Sequence, residues 1–157
     1  MKAGRLAAMA LLVAGLSACA SGPVRRVSEP TARVQQLTVQ PDGGWSAQLR
    51  IENFSSIPMR FDEVDVALAV DGRAAGRLTA RPALTVGPES ADIVTATLAP
   101  SVEAKLAIAD ALAGGRSVDY TLEGTVRATP DEGRQRTFDI RRSSALSPAP
   151  GLPGVLR

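Results

Sequence analysis

Few side chains in this sequence are placed to do chemistry. Cys19 is the only cysteine, so it forms neither an internal disulfide nor a multi-thiolate zinc site, and what remains for it is modification or life as a free thiol. Asp62, Glu63 and Asp65 form the densest acidic group and offer the hard oxygen donors that Ca²⁺ takes. Asp62 and Glu63 are adjacent, so on a regular strand they face opposite sides, and the group reads as the solvated start of a strand. Asp131-Glu132-Gly133 reads in the same way as a polar hairpin tip. Ser55, Ser56, Ser143 and Ser144 are the candidate nucleophiles. The chain has no histidine, which excludes His-based triads and His-containing metal sites. A serine enzyme would then need a lysine base, and Lys105, the only lysine after Lys2, has no Ser-x-x-Lys spacing beside it. No catalytic residue, metal ligand or cofactor is expected.

The chemistry left to Cys19 is set by what precedes it. Lys2 and Arg5 open the chain, and Leu6 to Leu16 is an apolar run of the length of a signal core, well short of the roughly 20 residues that span a bilayer. The run ends Leu16-Ser17-Ala18-Cys19, which resembles the bacterial lipobox, with cleavage between Ala18 and Cys19 and diacylglycerol transferred to the Cys19 thiol. The partner implied is membrane lipid, held through acylated Cys19 at about 0.8 kcal/mol per buried methylene. Ala20 follows rather than the Asp that favours inner-membrane retention in enterobacteria, so the expected address is the outer membrane, facing the periplasm. Asn53-Phe54-Ser55 matches the glycosylation sequon, which in such a protein is read as chance. The sequence pI near 9.2 belongs to the leader. Without Lys2 and Arg5 the chain carries sixteen basic and sixteen acidic side chains, and a neutral chain with five aromatics gives no support for a nucleic-acid partner.

The elements that would position these residues follow from period. Residues 19–33 are small, Pro-bearing and charged, and read as a tether reaching at most roughly 40 Å. Arg25 and Arg26 within it could meet anionic headgroups, although a solvated linker is the preferred reading. From Val34 to Arg142 the period is two. Val34, Leu37 and Val39 make a short first strand. Trp45, Ala47, Leu49 and Ile51 alternate with polar neighbours, as do Val64, Val66, Leu68 and Val70 ahead of an Asp71-Gly72 hairpin turn. Residues 73–80 form a weak edge strand, 84–86 and 92–98 two more, and Val118 to Arg127 a long one; Phe138 and Ile140 face inward on the last. Ser101 is the expected N-cap of one helix, ended by Gly114-Gly115, with Val102, Leu106, Ala109 and Ala113 as its apolar stripe. Residues 143–157 hold three prolines and no period, and read as a Pro-rich tail. The sum is an all-β antiparallel sandwich of about seven strands with one short α-helix late in the chain. Trp45, Phe61, Tyr120 and Phe138 are assigned to its core; Phe54, in a turn, is open between partner contact and packing under the loop.

The order of these features resembles the type 2 late embryogenesis abundant family, also called the water stress and hypersensitive response (WHy) domain. The resemblance is carried by Leu49-Arg-Ile-Glu-Asn53, Ile57-Pro58-Met59, the strand from Val64 to Val70 with its Asp-Gly turn, Gly76, the turn at Pro88, the helix, and Tyr120-Thr-Leu-Glu-Gly124-Thr-Val126. The family's common Asn-Pro-Asn is here Asn53-Phe54-Ser55, so only the first Asn matches. The resemblance implies an immunoglobulin/fibronectin III-like β-sandwich without catalytic residues and an association with desiccation and other stress. The expected function is thus protection of envelope components by a lipoprotein, with envelope proteins as clients and no small-molecule substrate. An adaptor or accessory subunit binding one envelope partner is the alternative, and ligand carriage between the sheets a third.

Overall fold

A computed structural model describes residues 25–157; the leader, Ala18, Cys19 and the start of the tether lie outside the described residues. Among the described residues nine strands form two antiparallel sheets. The first has the order β6-β2-β1-β9, made of β1 (Thr31–Val39), β2 (Trp45–Asn53), β6 (Ser90–Leu98) and β9 (Val155–Leu156). The second has the order β4-β3-β7-β8, from β3 (Met59–Val70), β4 (Arg73–Ala80), β7 (Val118–Pro130) and β8 (Arg136–Leu146), with β5 (Leu84–Val86) also paired to β3. This is the all-β sandwich that period two implies. Alternation places Trp45, Ala47, Leu49 and Ile51 of β2 against Val64, Val66, Leu68 and Leu122 of the second sheet's inner face, all essentially without solvent contact. Tyr120 joins them, and its hydroxyl accepts a bond from the Val34 backbone N–H at 3.1 Å, tying β7 to β1 across the sandwich.

Hairpin geometry follows turn chemistry. Asp71 and Gly72 both have positive φ, at 46° and 72°, and link Val70 directly to Arg73, as a two-residue turn with right-handed strand twist requires. Gly124 sits opposite Val66, where a Cβ would come within 2.2 Å of the Asp65 carbonyl oxygen. Only glycine lets β3 and β7 approach this closely.

Four expectations need correction. First, β3 begins at Met59, and a bulge at Asp62 lets Phe61 and Glu63 pair with the consecutive residues Ala128 and Arg127. Phe61 and Val64 are therefore both buried with two polar residues between them, and the opposite-face reading of Asp62 and Glu63 does not apply. Second, α1 (Val102–Gly114) turns a different face inward: Ala104, Ile108 and Ala111 are buried, whereas Val102 and Leu106 are 67% and 66% exposed. The helix is apolar on nearly every side, so its pattern does not select a face. Its setting is fixed at Ser101, whose N–H reaches the Ala75 carbonyl and whose Oγ donates to the Ala74 carbonyl while accepting from Ala104 N–H. Gly115 closes the helix in the left-handed conformation.

Third, residues 143–157 are not a loose tail. β8 runs to Leu146, and Ser147 and Arg157 exchange two backbone bonds of 2.7 and 2.8 Å. Ala149 N–H reaches the Val155 carbonyl, β9 pairs with Leu37 and Thr38 of β1, and Leu156 is fully buried. Fourth, residues 25–33 do not all belong to a tether. β1 begins at Thr31, and Arg26 and Ser28 are bonded to the loop after β2.

Candidate functional site

The loops at one end of the sandwich converge on Asn53. It closes β2, is 1% exposed and spends its whole side chain on backbone. Nδ2 donates to the carbonyls of Ile57, Val86 and Gly87 at 2.9, 3.2 and 2.9 Å, and Oδ1 accepts from Ser55 N–H at 2.9 Å. One amide thus joins the β2–β3 loop to the β5–β6 turn. An Nδ2 so engaged and buried is no acceptor for a glycan, which gives the sequon a structural meaning in place of a chemical one.

Ser55 and Ser56 extend the clamp to the incoming chain. Ser55 Oγ accepts from Ser28 N–H at 3.0 Å, and Ser56 Oγ accepts from Arg26 N–H at 2.8 Å. Ser56 N–H returns a bond to the Arg26 carbonyl at 3.0 Å, and Glu89 N–H reaches the Ser55 carbonyl at 3.1 Å. These two candidate nucleophiles therefore act as latches. Lys105 lies on α1 beside the Gly43 turn, at the opposite end of the sandwich, so the structure does not bring the base to them. Ser143 and Ser144 stand exposed on β8, opposite Thr121 and Tyr120.

Phe54 is left outside by this arrangement. With Asn53 and Ser55 both turned in, the residue between them points out, and Phe54 is 46% exposed. Its carbonyl accepts from Arg26 Nη2 at 3.3 Å, and the same guanidinium faces Glu89 at 3.6 Å. A cleft of about 270 Å³ lies beside it, lined by Arg26, Arg50, Glu52, Asn53, Phe54 and Glu89. Arg25 pairs with Glu132 of the β7–β8 hairpin, so that tip belongs to the same end. The bond from Arg50 Nε holds the Glu52 carboxyl below its ordinary pKa against the opposing effect of burial, helped by Thr31 and Arg33.

The acidic group on β3 is committed elsewhere. Asp62 accepts from Gln135 and Thr129 at 3.0 and 2.8 Å, and these bonds, with Arg60 adding, keep its carboxyl below the usual value. Glu63 pairs with Arg127 and faces Arg81 at 3.7 Å; Asp65 pairs with Arg77 at 2.7 Å. A carboxylate already facing a guanidinium is a poor cation ligand, and among the described residues no group of acidic side chains has metal-holding geometry. Sequence reading singled out Asn53, Ser55, Ser56 and Phe54 separately. It missed Arg26 and Ser28 as their partners, because those bonds use backbone groups that no residue pattern reveals.

Comparison with known proteins gives a family and a set of related structures. The profile of the late embryogenesis abundant proteins of type 2 matches residues 48–143. A candidate late embryogenesis abundant protein known from its solution structure is 16% identical over 98% of this chain and 86% of its own, with a TM-score of 0.47. An Arabidopsis thaliana protein is 15% identical over 80% of this chain and 82% of its own, with a TM-score of 0.46. A crystal structure of a protein from Archaeoglobus fulgidus is 13% identical over 79% of this chain and 98% of its own, with a TM-score of 0.43. No curated protein matches the sequence.

Proposed function

Because this chain belongs to the type 2 late embryogenesis abundant family, we propose that it is a lipid-anchored, non-catalytic protein protecting envelope components against desiccation and related stress. The family match across the sandwich carries this reading, since a stress-related role of the late embryogenesis kind goes with it. The family is generally non-enzymatic, and the ion-paired acidic groups and latched serines described above are consistent with that. Anchoring rests on the Leu16-Ser17-Ala18-Cys19 lipobox. The surface offered to a client includes the outer face of α1, where Val102 and Leu106 stand one turn apart in solvent. Apolar side chains so placed can cover apolar surface that a drying client exposes.

The test dries a desiccation-sensitive enzyme with the mature chain, Cys19–Arg157, or with an inert sandwich domain of equal size and charge. Recovery of client activity well above the control at near-stoichiometric ratio is expected; equal recovery with the two sandwiches rejects the reading. A second reading, an adaptor for one envelope partner, draws on the open edge of β8, eleven residues long at the end of its sheet. Such an edge can add a partner strand. Crosslinking in cells should then recover one reproducible protein, and a failure to do so removes that reading.

A further inference from the structure

The latched segment fixes the end of the sandwich at which the chain from Cys19 arrives. Arg26 and Ser28 are bonded through their backbones to Ser56 and Ser55, so any lead from Cys19 reaches the folded domain by Arg25 rather than near Val34. Six residue steps separate Cys19 from Arg25, and fully extended they reach about 20 Å, half of what the sequence alone suggests. A domain on so short a lead presents to the bilayer the end where the lead attaches. That end carries Phe54, a half-exposed aromatic held outward by the burial of Asn53 and Ser55 on either side of it. It also carries Arg25 and Arg26, whose present partners, Glu132 and Glu89, are exposed. Exposed ion pairs are weak and exchange readily for other anions.

We propose that this end is a membrane-seating face, with the Phe54 ring entering the interfacial layer of an anionic phospholipid bilayer and Arg25 and Arg26 meeting headgroup phosphates. This rests on the reading of Cys19 as a membrane anchor. The chemistry fits: Phe is among the apolar side chains that anchor proteins in the bilayer interface, and guanidiniums bind phosphate oxygens bidentately. The opposite end, with Val102 and Leu106 on α1, then faces away from the lipid and stays open to clients. Short tethering supplies the effective concentration that lets one aromatic and two cations suffice.

Cys19 is the only thiol, so the mature chain can be coupled through it to a maleimide-headgroup lipid in vesicles of phosphatidylethanolamine and phosphatidylglycerol. Phe54→Trp and Leu106→Trp place reporters at the two ends, and native Trp45, 1% exposed, gives the wild-type background. With acyl chains brominated, Phe54→Trp emission is expected to shift to the blue and lose most of its intensity, while Leu106→Trp and wild type stay unchanged. Unquenched Phe54→Trp overturns the proposal, as does equal quenching at the two ends or quenching at Leu106→Trp alone. The chemical tether replaces the acyl group, so this result stands apart from the anchor itself. That reading is checked by labelled palmitate incorporation in cells and its loss in Cys19→Ala.

Discussion

Asn53 does more with one side chain than any other polar residue described here. Replacing it with Ala leaves the Ile57, Val86 and Gly87 carbonyls without their donor in a buried setting. A loss of about 2–3 kcal/mol in urea unfolding is expected, from several bonds worth roughly 1 kcal/mol each plus the cost of unpaired groups. Loosening of residues 25–30 should accompany it, read as faster amide exchange at Ser28. Titration acts at the same scale. Glu52 and Asp62 have folded pKa values below their ordinary ones, so the stability they contribute is fully present above the ordinary carboxylate range, about pH 4. It is lost as pH falls through the lower folded values. Acid unfolding of Asp62→Asn, followed by circular dichroism, should therefore show a shallower pH dependence below pH 4 than wild type. An unchanged slope would mean that the Thr129 and Gln135 bonds do not favour the ionised carboxyl.

Helix α1 separates two kinds of apolar residue that look alike in sequence. Ile108 packs inward and Leu106 points to solvent. Ile108→Ala should cost about 2–4 kcal/mol and Leu106→Ala no more than about 0.5 kcal/mol. A larger cost for Leu106→Ala than for Ile108→Ala in thermal unfolding would show that the helix is turned as its apolar stripe suggests. The elements themselves were largely legible, because strands such as Trp45–Asn53 obey period two without exception and Asp71-Gly72 names its own turn. Three things were hidden, each for a physical reason. A helix apolar all round carries no sign of which side is inside; its rotation comes from the Ser101 bonds to β4, a tertiary contact. The Asp62 bulge breaks period two at one residue, so it looks like an irregular strand start. In the C-terminal hairpin the prolines at 148, 150 and 153 suppress any strand signal. The needed donors fall on Ser147, Ala149, Leu152, Val155 and Arg157 between and around them. The site was legible only in part: Asn53 and Phe54 stood out by type, while the latching of residues 26–28 lay in backbone groups.

At the scale of the whole molecule the sandwich is closed by its last strand. Leu156 is fully buried, and β9 covers the edge of β1 at Leu37 and Thr38. Leu156→Ala should lower stability by about 2–5 kcal/mol, as for other buried leucines, and a chain ending at Leu146 should unfold at lower urea still. Wild-type stability in the shortened chain would show that β9 is an ornament of the fold and not a part of its core.

The pairing of Leu37 with Leu156 also has a bearing on timing. β1 finds its outer neighbour in β9, far along the chain, so the β1 edge stays unfinished until that segment has been made. Until Val155 and Leu156 have been made, Leu37 and Thr38 keep an uncovered flank. The two-residue strand β9 thus acts as a latch that shuts only after the other strands have been made.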